Sequence, residues 1–106
     1  ITEGDLTEPE NLFHLIARPI ERESIRYTPA GIPVISARLW HRSQQMESGT
    51  NRNVEFEMPA IAIGDISKEF EKLSSDSFYL FKGFMATKSA KSRSLVFHIT
   101  GISSIE

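Results

Sequence analysis

The sequence contains no cysteine, which excludes disulfide scaffolds, thiolate metal sites and cysteine nucleophiles together. It also lacks any apolar run near the roughly 20 residues that a membrane-spanning helix needs, so we expect no membrane partner. The 106 residues leave room for one hydrophobic core. A composition of 40% hydrophobic and 25% charged residues is typical of a globular domain.

Catalytic motifs are missing as well. The chain has no phosphate-binding P-loop, no dinucleotide-binding fingerprint and no GxSxG nucleophile motif. His14, His41 and His98 fall on three different predicted strands, at spacings that match no common metal site. Glu55 and Glu57 lie two residues apart, and surface charge is the simpler interpretation of this carboxylate pair. We therefore expect neither an enzyme nor a cofactor.

Charge is segregated along the chain, although the formal net charge is only -2. Residues 1–10 carry acidic side chains and no basic one, and they are predicted to form a flexible acidic tail. Residues 82–93 carry basic side chains and no acidic one, namely Lys82, Lys88, Lys91 and Arg93. Such segregation is what an anion-binding surface requires, and a solvated loop is the alternative.

Residues 11–106 are predicted to form one all-β domain with one short helix. Alternating and apolar segments indicate strands at residues 12–17, 32–43, 53–63, 78–86 and 94–105. The helix follows Gly64, with Asp65 as its cap and an apolar stripe that includes Phe70. A helix between the third and fourth of five strands is the order of an OB-fold barrel, which binds oligonucleotides on its strand 2–3 face. A small β-sandwich has a similar number of strands and is the alternative.

Several residues modify these strands. Pro19 is expected to end the first strand, and Pro59 to mark an edge or a bulge in the third. Gly83 is expected at a bulge or at a close approach between backbones. The polar residues 44–52 and the basic residues 87–93 are expected to form a loop and a hairpin tip, respectively.

The second strand is predicted to present Arg38, Trp40 and Arg42 on its outer face, because successive side chains point to opposite sides. Binding a single strand without reading its sequence needs cations along the phosphates and flat rings on which bases stack. These residues supply both. Trp40 has an alternative role as the anchor of a dimer or protein interface, where Trp beside Arg is also typical.

Short motifs in a fixed order connect these elements to a known family. They are Pro29-Ala30-Gly31-Ile32-Pro33, His41-Arg42-Ser43, Met58-Pro59, Gly83-Phe84 and His98. With this spacing, the chain resembles the PriB family (primosomal replication protein N), bacterial relatives of the single-stranded DNA-binding proteins. The resemblance implies a cytoplasmic OB-fold homodimer that binds single-stranded DNA. It also implies the PriA helicase and other primosome proteins as partners, in the reloading of the replicative helicase at stalled forks.

The resemblance assigns nucleic-acid contacts to Arg42, Arg52 and the hairpin lysines. With their neighbours, the predicted contacts are Arg38, Trp40, Arg42, Arg52, Lys82, Lys88, Lys91 and Arg93. In a closed barrel these side chains are expected to converge on one flank, and ordinary solvated charges are the alternative. Glu55 and Thr50 stand where the family has aromatic residues, so we expect a weaker affinity for single strands.

The fourth predicted strand is apolar on both faces. Phe78, Leu80 and Phe84 cannot point inward together with Tyr79 and Phe81, because neighbours alternate. One face covers the barrel interior, and the other must be buried against a second chain or the helix. We therefore predict a homodimer with Phe78, Leu80 and Phe84 in its interface.

Two other functions remain open at this stage. The chain could be an OB-fold interaction adaptor with little affinity for nucleic acid, its nucleic-acid function lost with the aromatic residues that Glu55 and Thr50 replace. It could also be a general RNA-binding OB domain.

Overall fold

Six strands and one helix make up residues 9–105, the part of the chain that the structure, a computed structural model, describes. The elements are β1 (Phe13–Arg22), β2 (Arg26–Tyr27), β3 (Pro33–Glu47), β4 (Thr50–Ile63), α1 (Asp65–Glu71), β5 (Tyr79–Thr87) and β6 (Leu95–Ser104). Most of the predicted acidic tail, residues 1–8, lies outside the described residues. No helix within residues 9–105 is both long and apolar enough to cross a membrane.

The strands close into a ring. β1 pairs with β5, β5 with β6 and β4 with β3, all antiparallel, while β4 and β6 run parallel. The second half of β1 leaves β5 and pairs with β3, which completes the circuit β1–β5–β6–β4–β3–β1. This is the strand order of an OB-fold, so the predicted five-stranded barrel is confirmed. The additional strand, β2, has two residues and pairs with the first two residues of β3, Pro33 and Val34.

The core confirms the predicted alternation along β3. Ile35 and Leu39 point inward and are at most 2% exposed. Phe70 of α1 is completely buried and packs on Phe81 of β5, with 5.8 Å between the ring centroids. Burying each such side chain contributes about 1.5–3 kcal/mol, so the short helix is held by its packing against the barrel.

The predicted polar loop at residues 44–52 is wrong, because β3 and β4 continue through it as a hairpin. Only Ser48 and Gly49 form the turn, with φ angles of 51° and 75°. Positive φ at both central residues is the type I′ geometry that fits the twist of a hairpin. The polar side chains pair across the hairpin, as where Gln44 donates to Asn53 Oδ1 over 3.1 Å.

The two prolines act differently from each other. Pro19 does not end β1; the strand continues to Arg22, with an irregularity between Pro19 and Glu21 where β1 has moved from β5 to β3. Pro59 lies at an edge, as predicted, because β4 pairs with β6 only from Ala60 onward. No register shift between β3 and β4 marks a bulge there.

The helix cap differs from the prediction. Gly64, not Asp65, is the N-cap residue, and no side chain caps the helix. Its φ of 91° turns the chain from β4 into α1, a conformation that favours glycine. Ser67 Oγ donates to the Gly64 carbonyl over 2.6 Å, and Asp65 places a negative charge in the first turn, where the helix dipole favours it.

Arg22 fastens the end of α1 to the barrel. Its Nη1 atom donates to the carbonyl oxygens of Phe70, Glu71 and Leu73 over 3.1, 3.1 and 2.6 Å. Its Nη2 atom donates to Ser75 Oγ over 3.3 Å. A cation at a helix C-terminus satisfies carbonyls that have no partner within the helix.

Replacing Arg22 by methionine is therefore expected to lower the free energy of unfolding by about 2 kcal/mol, because hydrogen bonds from a charged donor are lost. Urea denaturation followed by circular dichroism measures this change. Lys68→Met, on the exposed side of the same helix, is the control and should stay within about 0.5 kcal/mol of the original protein. An Arg22→Met protein as stable as the control contradicts the anchoring role.

Candidate nucleic-acid interface

A groove of about 740 Å³ crosses the outer face of β3 and β4. One wall is the segment from the end of β1 to β2, which contributes Glu21, Glu23 and Arg26. The opposite wall is the root of the β5–β6 hairpin. The floor and this second wall include Ser36, Arg38, Pro59, Ile61, Lys88, Leu95 and His98. An OB-fold binds oligonucleotides on this face, between these same two connections.

Two arginines of the groove are bound only loosely by carboxylates. Arg38 lies between Glu21 and Glu57, with nitrogen–oxygen distances of 3.9 and 3.8 Å. Arg26 lies 3.8 Å from Glu23. These side chains are roughly half to three-quarters exposed, and exposed ion pairs contribute only about 0–1 kcal/mol. Displacing these carboxylates by a phosphate would therefore cost little.

The hairpin between β5 and β6 carries the basic cluster that the sequence indicated. Its root is closed by a bond from the Lys88 amide to the Ser94 carbonyl over 2.9 Å. Lys88 lines the groove, while Lys91 and Arg93 are exposed on the tip beyond it. The structure thus brings Lys88 to the same groove as Arg38.

Trp40 is half-buried within a cluster of its own chain. Its Nε1–H group donates to Glu55 Oε2 over 3.0 Å. The Arg18 guanidinium carbon lies 5.2 Å from the ring centroid, and the Phe78 ring packs at 5.9 Å. The indole is therefore held in one orientation by residues of β1, β4 and the segment before β5, and part of its surface still faces solvent.

Arg42 and Arg52 lie on opposite faces of the β3–β4 hairpin. Arg42 pairs with Glu55, on the outer face that also carries Arg38 and Trp40. Arg52 pairs with Gln45, so strand alternation turns its side chain to the other face. It also lies 3.1 Å from Glu47. The structure does not bring Arg52 to the predicted flank.

The remaining predicted residues lie on the outer face of β5 or beside it. Lys82 pairs with His14 of β1 and Gly101 of β6, away from the groove. Of the predicted dimer residues, Phe78 packs on Trp40 and Leu80 pairs with Ile16 of β1. Phe84 stacks on His98 with 4.8 Å between ring centroids.

Sequence reasoning missed Arg26 and Arg22 as groove residues. Arg26 donates to Ser36 Oγ over 3.0 Å, which holds the β1–β2 wall against β3. The signal available was its place in the connection between the first two barrel strands, one of the two connections that contact ligands in OB-folds. Arg22 also lines the groove, but the helix carbonyls already engage its guanidinium group.

Comparison with known proteins assigns this barrel to a family. A family model described as "Another single-strand binding protein family" matches residues 11–101. The chain is also 41% identical to the replication restart protein PriB of Nitrosomonas europaea over 76 residues, which cover 72% of this chain and 70% of that protein. The chain belongs to the PriB family. The resemblance seen in the sequence motifs is thereby confirmed.

Further members of the family show the same likeness in sequence and in structure. The PriB protein of Neisseria gonorrhoeae is 40% identical over 82 residues, 77% of this chain and 81% of that protein. The solved structure of PriB from Ralstonia solanacearum superposes with a TM-score of 0.82 at 35% identity. The superposition covers 92% of this chain and 100% of the Ralstonia protein.

Proposed function

We propose that this PriB-family protein binds single-stranded DNA in the groove and acts in the bacterial cytoplasm as an accessory protein of the replication-restart primosome. In that role it binds DNA and the PriA helicase together and promotes reloading of the replicative helicase. The observation that carries the proposal is the groove itself. Cations from both walls and the floor, Arg26, Lys88 and Arg38, face one cleft on the β3–β4 surface.

The proposed DNA path follows the outer face of β3 and leaves the groove over the tip of the β5–β6 hairpin. Arg38 and Arg42 lie four residues apart, about 13 Å along an extended strand, with Trp40 between them. They would contact phosphates, and the exposed part of the indole would contact a base. On the other side, Lys91 and Arg93 extend the cationic surface beyond Lys88.

Carboxylates on the outer face of β4 limit the expected affinity for single-stranded DNA. Glu55 and Glu57 lie opposite Arg42 and Trp40, and both are exposed. They repel phosphates and offset part of the cationic charge, so binding should be weak and should depend strongly on salt. This acidic and basic surface is also the observation that favours the second candidate function, an adaptor whose main ligand is the helicase.

The experiment is a fluorescence-anisotropy titration of labelled oligo-dT at several salt concentrations. If Arg26, Arg38, Arg42 and Lys88 each neutralise one phosphate, log K should fall linearly with log salt, with a slope of about -2.8. Competition with RNA of the same sequence should be nearly equal, because no contact is proposed to a 2′-hydroxyl group. Adding the cognate PriA helicase should produce a larger complex that contains both proteins and the oligonucleotide.

Each contrary result points to another function. No binding at about 50 mM salt, together with binding to PriA, identifies the adaptor. A strong preference for RNA identifies the general RNA-binding domain.

We also propose a homodimer formed along the first half of β1. Phe13 to Ala17 pair with β5 on one side, whereas pairing with β3 on the other side begins only at Arg18. Phe13 and Ile16 are 50% and 46% exposed along this edge, and Leu80 lies beside Ile16. Light scattering should give twice the chain mass of 12.0 kDa, and a monomer at micromolar concentration removes this part of the proposal.

A further inference from the structure

Most aromatic rings of the described residues have a structural position that accounts for them. Phe70, Phe81 and Phe97 are at most 1% exposed in the core. Phe56 packs on His41, Trp40 on Phe78, and Tyr79 on Phe81. The exposed rings among residues 9–105 are Phe13, Tyr27 and Phe84, with exposed fractions of 50%, 63% and 38%.

Phe84 differs from the other two in its partner. Its ring lies nearly parallel to the His98 imidazole, with 4.8 Å between centroids and 11° between planes. The other ring pairs within residues 9–105 are tilted by 34° or more. The two residues are direct cross-strand partners on β5 and β6, so the sheet itself holds the stack in place.

The stack is continuous with the groove. His98 lines the groove and lies beside Ile61 of β4, which forms part of the floor. No side-chain hydrogen bond engages the His98 ring in the part of the chain that the structure describes. His98 therefore lies at the side of the floor across from Arg38, and Phe84, which is not itself a lining residue, lies one strand beyond it on β5.

The two other exposed rings lack this position. Phe13 lines a small apolar crevice of about 120 Å³ between β1 and β4. Tyr27 and Phe84 are both outside the groove lining, but only Phe84 stacks on a residue that lines it. Neither Phe13 nor Tyr27 has an aromatic partner among the described residues.

We infer that the stacked Phe84 and His98 rings form a platform on which a nucleobase of the bound single strand stacks. The inference rests on the proposed function and names a contact within it. Arg38 and Lys88 would hold phosphates on the floor and on the hairpin wall, and a base turned outward over β6 would stack on the paired rings. Phe84 then contacts DNA rather than a second protein chain. A base that stacks on an aromatic ring needs no particular sequence, because every base has a π-face.

The test compares Phe84→Ala with the original protein on two probes, oligo-dT and an abasic oligonucleotide of the same length. Loss of one stacked base should weaken binding to oligo-dT about tenfold. The abasic strand has the same phosphates but no bases, so its affinity should not change. The slope of log K against log salt should also be unchanged, because no phosphate contact is removed. Tyr27→Ala, at an exposed ring that does not stack on a groove residue, is the control and should bind both probes as the original protein does.

The outcomes separate the platform from the proposed function. Equal losses on both probes, or no loss on oligo-dT, overturn the platform while the groove proposal stands. Failure of the original protein to bind either probe overturns the groove proposal. If Phe84→Ala does not fold, Phe84→Trp decides. It keeps a flat ring and should bind oligo-dT at least as tightly as the original protein, and a clear loss of affinity overturns the inference.

Discussion

Replacing both Arg38 and Lys88 by glutamate is expected to weaken binding of oligo-dT about 100-fold at low salt. Hydrogen bonds to charged groups contribute about 1.5–3 kcal/mol each. The double variant loses two phosphate contacts and gains two carboxylates that repel the strand, so we expect a loss of affinity of this size. The dependence of log K on log salt should become less steep by about 1.4, which is 0.7 for each lost phosphate contact. Anisotropy titrations at several salt concentrations measure both quantities.

A matched control separates the position of the charges from their number. Arg52→Glu with Lys68→Glu changes the net charge equally. Arg52 lies on the opposite face of the β3–β4 hairpin, and Lys68 lies on the exposed side of α1. At about 0.1 M salt, where the Debye length is about 10 Å, this variant should keep its affinity within about threefold, because exposed charges farther away than that are largely screened. Equal losses in the two double variants contradict a binding site localised in the groove.

The largest effect on stability is expected at Gly83. A Cβ atom there would overlap the backbone carbonyl oxygen of His98 and crowd the Phe97 ring. The carbonyl belongs to the adjacent strand and cannot move like the end of a flexible side chain. Gly83→Ala should therefore lower the free energy of unfolding by about 3 kcal/mol or more, as overpacking in a rigid site does. Urea denaturation measures the change.

Gly101→Ala is the control for this substitution. Gly101 lies on the neighbouring strand β6 and pairs with Lys82, one residue before Gly83. A Cβ atom at Gly101 would meet Lys82 Cβ at 3.7 Å, an ordinary van der Waals contact. This variant should change stability by less than about 1 kcal/mol. If both glycine variants unfold at the same urea concentration, the close approach at Gly83 is not what requires glycine.

The barrel could be predicted from the sequence because its strands alternate clearly. Ile35 and Leu39 of β3 are two of the residues that set the inward face, and the structure buries both. Gly83 could be assigned to a bulge or a close approach, and β5 shows both, with a register shift between Lys82 and Gly83. Such local patterns follow from side-chain period and glycine geometry alone.

The site was harder to predict, because it depends on contacts between distant residues. The resemblance to the family places Arg52 on the same flank as Arg42, and the predicted start of the third strand at residue 53 leaves the direction of its side chain open. With β4 beginning at Thr50, Arg52 shares its face with Val54 instead. The orientation of Trp40 is set by Arg18 and Phe78, which no sequence period connects to it.

Mapping the bound oligonucleotide by NMR tests the central proposal most directly. Backbone amide shifts are followed while unlabelled oligo-dT is added to the ¹⁵N-labelled protein at low salt. The largest shifts are expected at Ser36, Arg38, Ile61, Lys88 and His98, the residues that line the groove from three sides. Shifts confined to Arg52 and its neighbours at the hairpin end, or to α1, contradict the proposal that single-stranded DNA binds in the groove.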